Sequence, residues 1–179
     1  MANYDENAEI AGKYSLAFIQ AAGEVSSVFE KKTREMFEKA LGGEVKPEEM
    51  YEFGNVVEGY LKIQEEVGDN TMKRGGEASA KTVPIPDDTD LGEAFDVLLE
   101  EHNRQFQNSD REYPGGRYLH DIDGRTGRLG VDEAYPLPKS FVQGVYKGLI
   151  EEYGPSDAMP AFEEAEPEGD ERFAWDVTW

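Results

Sequence analysis

The chain has 179 residues, with 39 acidic against 18 basic side chains for a formal charge of −21, and no cysteine. A domain of this length buries roughly 70% of its unfolded surface, so a core is within reach without covalent staples. The composition excludes disulfides, thiolate metal sites and cysteine nucleophiles. It also lacks the basic stripe that nucleic-acid binding uses to displace counterions, and no apolar run approaches the roughly 20 residues of a membrane span.

Residues 1–8 are polar and read as frayed. From Ala8 to about Leu41 the apolar positions recur at steps of three and four: Tyr14, Phe18, Ala21, Val25, Val28, Phe29 and Met36. This predicts helix, weakened at Gly12 and Gly23 and stopped by Gly42-Gly43. Lys46-Pro47-Glu48-Glu49 reads as the first turn of a second helix, with proline and acids placed to suit it. That helix carries Met50, Phe53, Val57, Tyr60 and Leu61 on one face and ends at Gly68. A shorter helix is expected from Asp69 to Ala80. Val83-Pro84-Ile85-Pro86 must be extended. Asp87, Asp88 and Asp90 are cap candidates for a helix over 91–106, striped with Leu91, Phe95, Leu98, His102 and Phe106.

The second half changes period. Residues 117–123 alternate, with Tyr118, His120 and Ile122 on one face, and a turn at Asp123-Gly124-Arg125-Thr126-Gly127 leads into a strand over 128–132. Tyr135-Pro136-Leu137-Pro138 is a second extended proline segment. A helix follows over 139–153, closed by Gly154-Pro155. A last hairpin pairs a strand near 159–164 with one over 172–179, where Phe173, Trp175, Val177 and Trp179 share a face. Helices followed by hairpins predict an α+β fold, with N-terminal helices packed on a small antiparallel sheet of C-terminal hairpins. Residues 1–45 read as a helical extension or dimerisation helix, and residues 46–179 as the main domain.

The acids are dispersed rather than gathered in one tail or face. Self-repulsion of this size destabilises a compact chain in dilute buffer. At 1 M salt the Debye length is about 3 Å, which removes most of that penalty. Dispersed acid therefore predicts a halophile's cytoplasmic protein. The rival reading, a surface for a basic partner, would concentrate charge on one face. The opening Met-Ala-Asn-Tyr-Asp-Glu has no basic stretch of the signal-peptide kind.

Candidate chemistry is sparse. His102 shares a helix face with Phe95, Leu98 and Phe106. It is either a core histidine held by a backbone or acidic partner, or an axial haem ligand or base in an apolar pocket. His120 opens His120-Asp121-Ile122-Asp123-Gly124, which matches a calcium loop at three positions only. The first ligand and the bidentate glutamate are missing, so a strand turn with hydrated aspartates is expected. The acids from Glu163 to Glu171 fall at a turn and read as hydrated. No nucleophile elbow, phosphate loop or dinucleotide fingerprint is present, so no enzymatic activity is expected.

Several segments carry a family resemblance: the run from Phe53 to Gly68, Leu91-Gly92-Glu93-Ala94-Phe95 through His102-Asn103, Tyr135-Pro136-Leu137-Pro138 leading to Gly144 and Gly148, and the ending from Phe173 to Trp179. Together, Met50 to Trp179 resembles the superfamily of 4-vinyl-reductase-type domains, haem–nitric-oxide-binding domains and the Bet3-like subunits of the TRAPP tether. The cysteines of many members are replaced here by Lys139 and by Asp170-Glu171, and the tyrosine–serine–arginine signature that grips haem propionates is not visible. The resemblance implies a pocket for a hydrophobic small molecule between helices and sheet, often within a homodimer, and does not imply catalysis. With the apolar helix faces, it places Tyr60, Phe95, Leu98, His102, Phe141, Val145 and Trp175 in the lining. No cofactor is required by this reading. The alternatives are haem or metal at His102 or His120, and an interaction module built on the N-terminal helix.

Overall fold

The computed structural model describes residues 3–179. In chain order they form β1 (Glu9–Ala11), α1 (Gly12–Val25), α2 (Ser27–Leu41), β2 (Met50–Glu52), α3 (Phe53–Ala80) and α4 (Leu91–Arg104). Then come β3 (Phe106–Gln107), β4 (Tyr118–Asp123), β5 (Thr126–Asp132), α5 (Lys139–Tyr153), β6 (Ala161–Ala165) and β7 (Glu171–Thr178). The fold is α+β. A small antiparallel sheet runs β2-β1-β3, and the C-terminal hairpins build a larger one in the order β4-β5-β7-β6.

Two departures from the sequence pattern stand out, one local and one long-range. The first helical stretch divides at Ser26, whose backbone is extended and whose hydroxyl accepts from the Phe29 amide at 3.1 Å, capping α2. The segment expected to open the second helix serves α1 instead. The carbonyls of Glu49 and Pro47 accept from the amides of Gly12 and Lys13 at 2.9 and 3.0 Å. The helix proper starts at Phe53, where the Phe53 and Gly54 amides donate to Ala8 and Glu6 carbonyls at 2.8 and 2.9 Å. The starts of α1 and α3 thus have orphan donors satisfied by backbone from a remote segment. The same long-range pairing creates β1 and β2, with Ile10 opposite both Tyr51 and Phe106.

The second half follows the sequence pattern closely. The expected turn is a two-residue hairpin with Asp123 opposite Thr126 and Gly124 at φ 61°. Leu129, Val131, Trp175 and Val177 are buried on the inner face of the larger sheet. The Tyr146 hydroxyl of α5 ties the helix to this sheet, lying 2.9 and 2.8 Å from the carbonyls of Leu119 and Gly130. The outer face aligns Asp121, Arg128, Asp176 and Glu163 across four strands.

Gly68 interrupts α3 with φ 74° and ψ 168°, a backbone that only glycine adopts without strain. The stretch beyond it lies along α5 through a glycine seam. A methyl at Gly148 would come within 2.9 Å of the Glu77 carbonyl, and Gly76 and Gly144 leave less room still. The N-terminal helices belong to the same core as the rest. The Phe18 ring lies 4.8 Å from that of Tyr60 and 5.4 Å from that of Phe141.

Candidate functional site

Where α1, α3, α4 and α5 meet the start of β4, they line a partly open cavity of about 340 Å³. That is within the range of small-molecule pockets. Tyr14 and Phe18 come from α1, Phe53, Val56 and Tyr60 from the first part of α3, and Leu98 and His102 from α4. Phe141 and Val145 of α5, Tyr118 of β4, and Tyr135 and Leu137 of the proline segment close it. Ile10 of the small sheet lies on the wall as well, so the remote backbone pairing that starts α1 and α3 also forms the cavity.

Of the residues expected in a pocket, Tyr60, Leu98, His102, Phe141 and Val145 are brought together on this wall. Phe95 and Trp175 lie elsewhere. Phe95 packs edge-on against Tyr146 at 5.3 Å and beside His120 at 5.4 Å. Trp175 packs against Phe162 and Phe173 at 5.9 and 5.3 Å, with the Lys139 ammonium over its ring. Both are apolar residues on the expected faces. Periodicity identifies the buried face, but not which part of it meets another side chain and which meets space. Tyr135 and Leu137 have no periodic signal, because an extended proline segment carries none.

His102 is the polar centre of the wall. It is buried, and its Nε2 lies 3.3 Å from the Gly115 carbonyl. A carbonyl only accepts, so Nε2 carries the proton and Nδ1 holds the lone pair. The imidazole sits among the rings of Tyr135, Phe106 and Tyr118 at 5.2, 5.3 and 5.4 Å. Burial lowers its pKa from 6.5 to about 4, against the opposing pull of the Gly115 carbonyl and Asp132, so the ring is neutral at pH 7. Among the described residues, the charged ones on the wall are Lys13 and Glu101.

The tyrosines form a second polar feature. Tyr135 donates to the Tyr118 hydroxyl at 2.6 Å. Burial pushes the phenols of Tyr60, Tyr118, Tyr135 and Tyr146 up, so all four stay protonated. His120 lies off the cavity, with Nε2 3.3 Å from an Asp96 carboxylate oxygen. Among the described residues, no group of three His, Cys, Asp or Glu side chains is placed to hold a metal ion. In the acidic hairpin the expectation of hydrated carboxylates needs correction at Glu171. Its two oxygens accept from Arg128 at 2.9 and 2.6 Å, although the β5–β7 register pairs Arg128 with Asp176 and Glu171 with Asp132, so the long Arg128 side chain makes this contact by reaching along the sheet.

A helical layer against an antiparallel sheet, with a walled cavity between elements, defines the class: an α+β domain with an internal pocket. Within that class the fold is that of the H-NOX domains. One such structure, from work probing haem distortion in the H-NOX family, superposes with TM-score 0.66 at 14% identity and covers 95% of each chain. A variant of the T. tengcongensis H-NOX domain gives 0.64 at 14% identity, covering 94% of this chain and 97% of that one. An oxygen-binding H-NOX domain related to soluble guanylate cyclases gives 0.62 at 14%, covering 94% of each. No family model and no curated protein matches the sequence. At such identity the likeness establishes the architecture alone.

Proposed function

We propose that this chain is a non-enzymatic sensor domain that binds a small, largely apolar molecule in the cavity between α1, α3, α4 and α5. One observation carries the reading: a ligand-sized cavity, walled mainly by aromatic and aliphatic side chains, holds a neutral buried imidazole at its edge. Pockets of this composition gain affinity from apolar burial and orientation from a few polar groups. The H-NOX architecture supports a sensing role, since one neighbour of the same fold is described as oxygen-binding. The test is extraction and mass spectrometry of the protein purified in molar KCl, beside a Val145→Phe variant that fills the cavity. A species retained by the wild type and lost from the variant supports the proposal. The same species in both, or none in either, overturns it.

A second reading is that the bound molecule is haem, and His102 favours it. Ligating histidines characteristically donate their other ring N–H to a backbone carbonyl or carboxylate, as Nε2 does toward Gly115. His102 would hold the iron, and Lys13 is the wall's cation for the carboxylates. When bound, haem supplies an iron that takes a gas ligand or an electron. The imidazole chemistry fits, while anchoring of the carboxylates rests on Lys13 without an arginine on the wall. Haem titration separates the two readings. A Soret shift in the wild type that disappears in His102→Ala supports haem, and a wild-type spectrum of free haem removes it.

A further inference from the structure

We infer that Tyr60 is a recognition residue, and that the cavity selects apolar molecules presenting a neutral carbonyl-type oxygen to its hydroxyl. The inference rests on the cavity being the ligand site.

Tyr60 is 9% exposed and lies on the cavity wall. Its ring is fixed by Phe18 at 4.8 Å, Phe37 at 5.2 Å and Phe141 at 5.3 Å, so the direction of its hydroxyl is set by packing. Tyr14 on the same wall is only half-buried, and the other fully buried phenols lining or backing the cavity have partners. Tyr118 and Tyr135 are bonded to each other, and Tyr146 is bonded to two carbonyls. Among the described residues the Tyr60 hydroxyl has no hydrogen-bond partner. Among the described residues the fully buried unpaired side-chain polar atoms are those of Thr33, Asn103 and Ser140, so the Tyr60 oxygen keeps surface open to the cavity, and a ligand that covers it without supplying an acceptor would strand the donor at a cost. Burial also keeps the phenol protonated, so it offers a proton rather than a negative charge.

The chemistry of the missing partner follows from the wall around it. Phe18, Phe141 and Val56 can pack against a ring or chain but cannot compensate a charge. A neutral oxygen acceptor on an apolar body satisfies the phenol and leaves no ion unpaired. A plain hydrocarbon would leave the donor bare.

The experiment uses two probes of nearly equal shape, 2-acetylnaphthalene and 2-ethylnaphthalene, titrated by calorimetry in about 2 M KCl to screen the surface charge. The wild type should bind the ketone about tenfold more tightly, the usual scale of one buried neutral hydrogen bond. Tyr60→Phe keeps every ring contact. It should bind the hydrocarbon as the wild type does and lose the preference for the ketone, while Tyr118→Phe should retain it. A wild type that binds both probes equally, or a preference that survives in Tyr60→Phe, overturns the inference and leaves the cavity reading standing. Failure of the wild type to bind either probe overturns both. The wild-type comparison does not depend on any variant folding.

Discussion

The buried imidazole of His102 makes a quantitative prediction about acid sensitivity. Its pKa falls from 6.5 to about 4 in the folded protein, chiefly because burial disfavours the charged ring. Above pH 6.5 the ring is neutral in both folded and unfolded chains, and its full contribution is present. As pH drops below 6.5 the unfolded chain takes up a proton that the folded chain refuses until about pH 4. Stability is therefore lost through that window. Between pH 7.5 and 5 the loss from this group alone is about 2 kcal/mol. His102→Gln keeps a donor toward Gly115 and removes the titration. Urea unfolding of both proteins in about 2 M KCl, at each pH, isolates the effect because the carboxylates titrate alike in the pair. The wild type should lose about 2 kcal/mol more than the variant over this range. Equal losses would show that His102 titrates normally and is not desolvated as described.

Three further outcomes are expected. Gly144→Ala places a methyl against the Lys73 carbonyl in the α3–α5 seam, where backbone cannot yield, and should cost about 1–3 kcal/mol by the urea midpoint. A cost near zero would mean that the helices are free to separate. Tyr146→Phe removes the donor shared by the Leu119 and Gly130 carbonyls and should cost about 1–2 kcal/mol, with the sheet amides next to residues 119 and 130 exchanging faster. The dispersed charge of −21 predicts a melting temperature that climbs steeply between about 0.1 and 1 M KCl, as the Debye length shrinks from about 10 to about 3 Å. A flat response would remove the case for adaptation to high salt.

Local pattern determined much of this protein. The α+β class, the helix over 139–153, the hairpin at Gly124 and the buried face of the last strand are legible because each depends on neighbours a few residues away. The cap on α4 is equally local, although only Asp90 of the three candidates performs it, accepting from the Glu93 amide at 3.0 Å. The absence of thiols and the spread of acids likewise need no coordinates to interpret. The starts of α1 and α3 and the small sheet were decided by tertiary structure, because their hydrogen bonds join segments 34 residues or more apart. The cavity has the same origin. Periodicity shows that Tyr60, His102, Phe95 and Trp175 turn inward. Whether an inward side chain is packed away from the cavity, as Phe95 is against Tyr146, or borders the cavity, as Tyr60 does, depends on how whole elements pack. That packing is set jointly by the glycine seam, the kink at Gly68 and the remote caps, and no short stretch of sequence contains all three.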